Sequence, residues 1–290
     1  MIYLSLNDLQ KTIFIEFITT SKCNYKCSYC SAKYRFKESK FNDYGRFKMF
    51  ETYINQFKTI KENNPEYKIR VRILGGEPTL YPYLNDLLNI LNNNPYVDGI
   101  TLFSNCSHSI PNFNSETKKN FLVFSVHFEY ARFFNRSFKN IINSQNHNVV
   151  CSCVCNSHNS HLEFIIQNVK KYNFEFHLSP CYTQDLQRSK LIQSFIDFKK
   201  THEYIYSRYK LMDYYKKCVP NYFETYITDY FLHPSKGNCI LTEFEIDENG
   251  KINTPQCCKQ QNLSIDNIKP ISNSCKDIIS CCFEYFYYRR

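Results

Sequence analysis

The sequence predicts an α/β protein in which parallel strands alternate with helices. Short apolar segments rich in β-branched residues recur along the first 180 residues, and longer segments with helical periodicity separate them. A strand–helix–strand order repeated about six times favours parallel βαβ units. The 290 residues suffice for one large barrel-like domain, or for a main domain with a small appendage.

The individual elements are predicted from these periodicities and from the turn residues between them. Six strands are predicted: Ile13–Ile18, Lys68–Leu74, Gly99–Ser104, Phe121–His127, Asn148–Cys155 and Phe174–Ser179. Helices are predicted near Tyr44–Lys61, Tyr83–Leu91, Phe133–Asn143 and Ser160–Lys171, with a further helix over Lys190–Lys216.

The pattern of alternating predicted strands and helices ends at residue 216. Asn249-Gly250, in "ENGK", predicts a two-residue β-hairpin turn, because both central positions of the primed turns require positive φ. Cysteines are concentrated around and beyond this turn. We therefore divide the chain into a main domain, residues 1–216, and a small cysteine-rich hairpin region, residues 217–290.

Composition and charge narrow the classes of protein. No apolar run approaches the length of a membrane span and no secretory signal is recognisable, so we expect a cytoplasmic protein without a membrane partner. In that reducing compartment the 15 cysteines are expected to be thiols or metal ligands rather than disulfides. The net charge of +9 permits a nucleic-acid partner. The basic residues are scattered along the sequence, however, so charge alone is weak support for such a partner.

Three cysteines follow the first predicted strand in the segment "TTSKCNYKCSYCSAKY". Cys23, Cys27 and Cys30 have C-x3-C-x2-C spacing and lie where the loops of parallel α/β proteins build active sites. Three thiolates without a nearby histidine suit a 4Fe–4S cluster whose fourth iron takes a non-protein ligand. On spacing alone, a distributed zinc site or thiols kept for packing remain equally good interpretations.

A second motif, "GGEPTL", follows the second predicted strand. Gly75 and Gly76 allow the backbone to come close to a ligand, and Pro78 fixes the turn. Alone, this motif is also an ordinary turn. The two motifs together, each at the end of its own strand and one βαβ unit apart, form a far more specific combination.

These two motifs resemble those of the radical S-adenosylmethionine (radical SAM) family, over roughly residues 13–180. The resemblance implies a partial (β/α)6 TIM-like barrel, with residues 1–216 as the radical SAM core domain. It implies that Cys23, Cys27 and Cys30 bind three irons of a 4Fe–4S cluster, while the amino and carboxylate groups of SAM chelate the fourth. The backbone of Gly75–Glu77 would meet the SAM ammonium group, and Tyr29 would lie near the adenine.

Four polar residues at later strand ends match the family more weakly. They are Ser104 and Asn105 in "LFSN", Ser125 in "FSVH" and Asn156 in "CVCN". The resemblance implies that they contact SAM; the alternative for each is a polar residue that merely ends a strand.

The last 52 residues contain six cysteines that resemble the ligands of a twitch or SPASM-type extension. They are Cys239, Cys257, Cys258, Cys275, Cys281 and Cys282. The resemblance implies one auxiliary Fe–S cluster, bound by Cys239, Cys275 and one member of each adjacent pair. A structural zinc site with the same four thiolates is the alternative. Either metal would stabilise a region with little apolar core of its own.

Two further features receive structural interpretations. Cys151, Cys153 and Cys155 alternate along one strand, a linear arrangement that suits buried thiols better than a metal cage. His127, at the end of the fourth strand, is either a substrate contact or a hydrogen-bonded structural histidine.

The function implied by the resemblance is that of a radical SAM enzyme. A reduced 4Fe–4S cluster cleaves SAM to a 5′-deoxyadenosyl radical, which abstracts a hydrogen atom from a peptide or small-molecule substrate; an electron donor such as flavodoxin or ferredoxin supplies the electron. One alternative is a radical SAM enzyme that modifies tRNA. Another alternative is a non-catalytic nucleic-acid-binding module stabilised by zinc or by an Fe–S cluster. This alternative explains neither the GGEP motif nor a cluster site that lacks one protein ligand.

Overall fold

The computed structural model describes most of the chain up to residue 180 and part of the remainder. The described residues are 11–28, 30, 40–155, 161–180, 237–241, 243–247, 249–253, 263–264, 268–269 and 271–275. The helix predicted over Lys190–Lys216 lies outside them. None of the helices in this described part is long and apolar enough to cross a membrane.

Six parallel strands, taken in chain order, form the larger part of the main sheet, which confirms the predicted α/β fold and is consistent with a partial barrel. The strands are β1 Thr12–Ile18, β2 Lys68–Leu74, β3 Gly99–Ser104, β4 Phe121–Val126, β5 Val149–Cys155 and β6 Glu175–Pro180. Each pairs in parallel with the next along the chain. Their carboxyl ends therefore meet at one edge of the sheet.

In the described residues from 40 to 180, five α-helices and two short 3₁₀ helices lie between the strands. They are α1 Asp43–Asn55, α2 Phe57–Asn63, α3 Leu84–Asn93, α4 Phe134–Ser144 and α5 Leu162–Lys171, with η1 Pro78–Leu80 and η2 Phe128–Phe133. The single helix predicted near 44–61 is divided at Gln56, and the division leaves Phe50 of α1 and Phe57 of α2 both fully buried. Within the described residues 105–120, β3 connects to β4 without a helix, and the connection buries Ile110 and Phe113 instead.

The core lies between the helices and one face of the sheet. Alternate β1 side chains, Ile13, Ile15 and Phe17, are fully buried there, and the Phe17 ring stacks on Phe50 of α1 at 4.5 Å. Of the intervening positions, Phe14 is apolar and Glu16 carries charge. Arg72 donates a hydrogen bond to the Glu16 carboxylate at 3.1 Å on the adjacent strand. The sheet is therefore apolar toward the helices and partly polar on its other face.

The C-terminal region contributes to the same sheet. Its strands are β7 Gly237–Leu241, β8 Glu243–Ile246, β9 Ile252–Asn253 and β10 Ile271–Cys275. β8 pairs in parallel with β1, and β9 pairs antiparallel with β8, so the strand order is β6-β5-β4-β3-β2-β1-β8-β9. β7 and β10 form a separate antiparallel pair. Phe244 of β8 is 1% exposed, so this region supplies part of the core.

The β8–β9 hairpin is confirmed, but its predicted two-residue turn is wrong. Gly250 has φ of +79°, whereas Asn249 does not have positive φ. The Gly250 N–H donates to the Asp247 carbonyl at 3.0 Å, and the Asp247 N–H donates to the Lys251 carbonyl at 3.1 Å. The Asp247 carboxylate accepts from the N–H groups of Asn249 and Lys251, both at 2.9 Å. The longer turn forms because this aspartate satisfies N–H groups that a tighter turn would pair across the strands.

Candidate cofactor site at the carboxyl ends of the strands

The cysteine loop, defined as residues 19–30, follows β1, and its first residue is hydrogen-bonded to the last residue of β2. The Thr19 N–H and hydroxyl both donate to the Leu74 carbonyl at 2.9 Å. The buried Thr20 hydroxyl accepts from the Lys22 N–H at 3.1 Å. These bonds fix the direction in which the chain enters the loop that carries the three cysteines.

The two glycines of the GGEP loop pack directly against the base of the cysteine loop. The Gly76 N–H donates to the Thr20 carbonyl at 2.6 Å, and the Glu77 N–H donates to the Lys22 carbonyl at 2.8 Å. A Cβ atom at Gly76 would lie 2.2 Å from the Lys22 carbonyl oxygen, and one at Gly75 would lie 2.6 Å from the Thr20 carbonyl oxygen. Gly75 also has φ of +150°. Both glycines are therefore required for the close approach of the two loops.

This packing determines which backbone groups of the GGEP loop remain for a ligand. The N–H groups of Gly76 and Glu77 are engaged by the cysteine loop. Among the described residues, none donates a hydrogen bond to the carbonyl of Gly75 or Gly76. Carbonyl oxygens are acceptors and an ammonium group has only donors, so this loop fits the amino group of SAM.

Glu77 joins the GGEP loop to the end of β3. Its carboxylate is 1% exposed and accepts from the Thr79 N–H at 3.0 Å and hydroxyl at 2.6 Å, the Ser104 hydroxyl at 2.7 Å and the Asn105 N–H at 2.7 Å. Four donors satisfy a buried carboxylate that would otherwise be costly to desolvate. The structure thus brings together Glu77, Ser104 and Asn105, three of the residues that the sequence assigned to the site.

The side chains of Ser104 and Asn105 have protein partners of their own. The Ser104 hydroxyl accepts from the Cys106 N–H at 2.9 Å. The Asn105 amide donates to the Asn24 side-chain oxygen at 3.0 Å, and its own oxygen accepts from the Ser107 N–H at 3.0 Å. Asn105 therefore ties the cysteine loop to the β3 end, and a direct contact of either residue with SAM stays a prediction.

An aromatic stack holds the middle of the cysteine loop. The Tyr25 ring, 7% exposed, lies parallel to the Tyr130 ring with centroids 3.9 Å apart and stacks on Phe133 at 5.8 Å. His127 meets the same ring edge-on at 5.9 Å. Burial raises the pKa of the Tyr25 hydroxyl to about 12 and lowers the pKa of His127 to about 4, so the histidine is neutral near pH 7.

Two side chains of η2 also bind the backbone of the cysteine loop. The Tyr130 hydroxyl accepts from the Lys26 N–H at 2.5 Å. The Glu129 carboxylate accepts from the Ser28 N–H at 2.9 Å and also from the Ser28 hydroxyl. Sequence reasoning missed these contacts. The one available signal was the density of aromatic residues in "FEYARF" directly after the fourth strand.

The three cysteines of the loop differ in exposure. Cys23 is exposed, Cys30 is half-buried and Cys27 is buried. The Tyr25 N–H donates to the Cys23 sulfur at 3.3 Å. Desolvation raises the pKa of the Cys23 thiol to about 11, against the opposing effect of the Tyr25 N–H and with smaller contributions from Glu77 and Cys30.

No three His, Cys, Asp or Glu side chains within the described ranges converge on one point at metal-binding spacing. The fit of the cysteine loop to a cluster therefore rests on its donor chemistry. Three soft thiol ligands lie on one short loop that is hydrogen-bonded at its base and near its middle, and thiolates are the ligands that Fe–S clusters take.

The remaining predicted site residues lie on other strands or outside the described part. Ser125 is half-buried on β4 opposite Ser152 of β5. Six residues lie outside the described residues: Tyr29, Asn156, Cys257, Cys258, Cys281 and Cys282. Cys239 of β7 lies opposite Asn273 of β10, while Cys275 lies opposite Gly237. The two cysteine positions are thus on adjacent strands, two residues apart in register.

The cysteines of β5 are confirmed as buried thiols where their side chains are described. Cys151 and Cys153 are each 0% exposed and belong to the apolar core, and burial raises the pKa of Cys151 well above its ordinary range. The side chain of Cys155 lies outside the described part.

Residues 17–149 match the family model of the Radical SAM superfamily. This part of the chain, which includes the cysteine loop and the GGEP loop, is therefore similar to radical SAM domains.

The fold is similar to that of SuiB from Streptococcus suis, with a TM-score of 0.55 and 17% identity over 84% of this chain and 60% of SuiB. Structures of SuiB bound to its precursor peptide SuiA and of SuiB bound to S-adenosylmethionine give TM-scores of 0.54 and 0.53, at 17% and 16% identity. Each match covers 84% of this chain, with 59% and 58% of the SuiB chains. The chain thus spans less than two thirds of the SuiB length, and this similarity concerns the fold alone. No curated protein matches the sequence.

Proposed function

We propose that this protein is a radical SAM enzyme that reductively cleaves S-adenosylmethionine with a 4Fe–4S cluster bound by Cys23, Cys27 and Cys30. The observation that carries the proposal is the docking of the GGEP loop onto the cysteine loop. It supports the proposal because the loop that carries the three thiols is hydrogen-bonded to a loop whose Gly75 and Gly76 carbonyls accept no hydrogen bond from the described residues, at the carboxyl edge of a parallel sheet where α/β enzymes bind ligands. The match of residues 17–149 to the superfamily supports the same assignment.

Different residues of the chain are proposed to bind the cluster, to bind SAM and to hold the two loops in position. The three thiolates hold the cluster, and the carbonyl groups of Gly75 and Gly76 accept hydrogen bonds from the SAM ammonium group. The Glu77 carboxylate accepts four hydrogen bonds and so holds the end of β3 against the GGEP loop. Tyr29, Ser125 and Asn156, together with Ser104 and Asn105, are proposed as further SAM contacts on the resemblance alone.

The cofactors supply the difficult chemistry when they are bound. When bound, the 4Fe–4S cluster and SAM would supply one-electron reduction of the sulfonium, with cleavage of its C5′–S bond to methionine and a 5′-deoxyadenosyl radical that would abstract a hydrogen atom from the substrate. The protein's part is to fix the reacting groups and to limit water. The buried Tyr25 ring and the η2 aromatic side chains cover one side of the cysteine loop and serve that purpose.

We further propose that Cys239 and Cys275 belong to the ligand set of one auxiliary Fe–S cluster, with one of Cys257/Cys258 and one of Cys281/Cys282. The register of β7 and β10, which brings the first two positions onto adjacent strands, supports the pairing of those two. A zinc ion bound by the same four thiolates is the alternative, and metal analysis of the isolated protein distinguishes the two.

A peptide is the substrate class that we propose first, with a small molecule second. SuiB, which has the same fold over most of this chain, has been solved with its precursor peptide bound, and this favours a peptide over tRNA. An external donor such as flavodoxin or ferredoxin would supply the electron. A short peptide encoded beside the gene for this protein is the first substrate to test, by mass spectrometry after anaerobic incubation with SAM and reductant.

Anaerobic reconstitution followed by a SAM-cleavage assay tests the proposal. We expect roughly four irons and four sulfides at the core site and formation of 5′-deoxyadenosine in the presence of dithionite and SAM. Cys27→Ala should abolish both, whereas Cys153→Ala, a change of the same type in the core, should retain both. The proposal fails if the wild-type protein binds zinc in place of iron at the cysteine loop, or if the reduced, loaded protein yields no 5′-deoxyadenosine.

A further inference from the structure

We infer that Glu129 and Tyr130 position the cysteine loop and lower the reduction potential of the cluster that it binds. The inference rests on the proposed function, because it concerns the cluster held by Cys23, Cys27 and Cys30. Neither residue belongs to the cysteine or GGEP motif. Both act on the cluster through the loop, and they are therefore positioning residues.

The contacts of Glu129 and Tyr130 fall on the loop backbone between its cysteine ligands. The Lys26 N–H, immediately before Cys27, donates to the Tyr130 hydroxyl at 2.5 Å. The Ser28 N–H, immediately after Cys27, donates to the Glu129 carboxylate at 2.9 Å. Because backbone N–H groups are bound, and the Ser28 hydroxyl donates to the same Glu129 carboxylate, the path of the loop is fixed on both sides of Cys27.

Tyr130 has two separate contacts with the loop. Its ring face stacks on Tyr25 at 3.9 Å with only 3° between the planes, while its hydroxyl accepts from Lys26. The backbone of η2 departs from helical geometry at this residue, with φ of −117° and ψ of 28°. The ring that stacks on Tyr25 therefore belongs to a residue at a kink of η2.

Two physical effects lower the potential. Hydrogen bonds from backbone N–H groups to cluster sulfurs raise the reduction potential of Fe–S clusters, because they stabilise the added negative charge. Here the N–H groups of Lys26 and Ser28 are engaged by Tyr130 and Glu129, and so are withheld from the sulfurs. In addition, the negative charge of Glu129, which is bonded next to Cys27, opposes the addition of an electron, although solvent screens part of that effect.

A low potential suits the proposed chemistry. The electron must pass from the cluster to a sulfonium, which is a poor acceptor, so a more reducing cluster favours the transfer. The electron itself comes from an external one-electron donor, and the reduced cluster returns to its oxidised state when the electron leaves. Glu129 and Tyr130 change the equilibrium of this exchange without taking part in any bond that forms or breaks.

The experiment is a reductive titration of the reconstituted full-length protein, monitored by EPR. The core cluster is identified as the species whose signal changes when SAM is added, which separates it from any auxiliary cluster. The variants are Glu129→Gln, which removes the charge and keeps an acceptor oxygen, Glu129→Asp, which keeps the charge, and Tyr130→Phe, which keeps the stacked ring. Glu62→Gln, in an exposed ion pair with Lys58 near the end of α2, is the matched charge control.

We expect Glu129→Gln to raise the midpoint potential, so that the ratio of reduced to oxidised core cluster at a fixed potential increases roughly three- to tenfold, about 30–60 mV for one electron. Tyr130→Phe should raise it in the same direction, while Glu129→Asp and Glu62→Gln should stay near the wild-type value. Iron and sulfide content should be retained in Glu129→Gln, which excludes simple loss of the site.

The inference is overturned if Glu129→Gln and Tyr130→Phe bind the cluster with the wild-type potential. It is also overturned if Glu62→Gln raises the potential as much as Glu129→Gln, since the effect would then be one of net charge. These outcomes leave the proposed function intact as long as the wild-type protein forms 5′-deoxyadenosine. Failure of the wild-type protein to bind a SAM-responsive cluster would instead refute the proposed function.

Discussion

Replacing Gly76 with alanine should force the cysteine loop away from the GGEP loop. The added Cβ atom would lie 2.2 Å from the Lys22 carbonyl oxygen, 2.6 Å from the Lys22 carbonyl carbon and 2.8 Å from the Ser21 carbonyl oxygen. All three are backbone atoms, so no side-chain rotation relieves the overlap. The loop base must move by about 0.8 Å before the closest of these contacts reaches the shortest separation, 3.0 Å, that real Cβ atoms tolerate.

The cost follows from the bonds that this movement stretches. Overpacking a tight contact costs about 1–3 kcal/mol, and each of the two hydrogen bonds from the N–H groups of Gly76 and Glu77 is worth about 0.5–1.5 kcal/mol net. Because the bonds lengthen rather than vanish, we expect a loss of about 2–4 kcal/mol in the free energy of unfolding. For a domain of this size that loss lowers Tm by about 5–10 °C.

The assay is anaerobic thermal unfolding together with iron loading after reconstitution, and Gly45→Ala is the matched control. A Cβ atom at Gly45, in the first turn of α1, would lie 3.2 Å from the Asn42 side-chain oxygen and 3.5 Å from the Phe41 ring. Alanine also suits a helix better than glycine by up to about 1 kcal/mol. Gly45→Ala should therefore load iron normally with a Tm within about 2 °C of wild type. A Gly76→Ala protein with wild-type Tm and iron content would refute the close-packing argument.

Three further changes test other parts of the structure. Glu77→Gln should lower the free energy of unfolding in chemical denaturation by about 2–4 kcal/mol, because one of its four donors, such as the Asn105 N–H, would then face an NH₂ group; Glu66→Gln at an exposed site should have almost no effect. The pKa of His127 is lowered from 6.5 to about 4, so the unfolded chain binds more protons between these values and stability should fall as the pH drops through that window. His127→Gln should flatten this part of the stability profile, and an unchanged slope would contradict the assignment. Phe244→Ala should cost about 3–5 kcal/mol within a single unfolding transition, whereas a separate low-temperature transition would show that the C-terminal strands unfold independently.

Sequence patterns predicted the central strands well because their ends are chemically marked. The bounds of β2 and β3 agree with the predicted bounds, since Gly75-Gly76 ends β2 and Gly99 begins β3. The division of the first long helix at Gln56 could not be predicted, because neither glycine nor proline marks it. The pairing of β8 with β1 was equally inaccessible, because it joins residues more than 200 positions apart and leaves no local periodicity.

In the candidate site, too, local motifs could be predicted from the sequence, whereas contacts between distant segments could not. The cysteines and the GGEP loop could be found because each motif is a local pattern with a chemical reason. The interpretation of Gly75 and Gly76 was incomplete: glycine is required by the backbone of the neighbouring cysteine loop, and not only by the approach of a ligand. Glu129 and Tyr130 were missed because their contacts with the cysteine loop depend on how η2 is oriented after β4.

The cysteine loop is supported by the C-terminal region as well as by the domain that carries it. β1, from which the loop emerges, lies between β2 and β8, so β8 converts what would be an edge strand of the six-stranded sheet into an interior strand. The hairpin beyond β8 reaches the segment after the loop. The Asn249 side-chain oxygen accepts from the Lys40 N–H at 2.9 Å, and the Gly250 carbonyl accepts from the Tyr53 hydroxyl of α1 at 2.5 Å.

These contacts bind both flanks of the cysteine loop to one C-terminal hairpin. A metal bound by Cys239 and the other proposed C-terminal ligands would order β7, which directly precedes β8, and would so stabilise the strand before the loop and the helix after it. Loss of that metal should for the same reason weaken cluster binding at Cys23, Cys27 and Cys30, even though the two ligand sets share no residue.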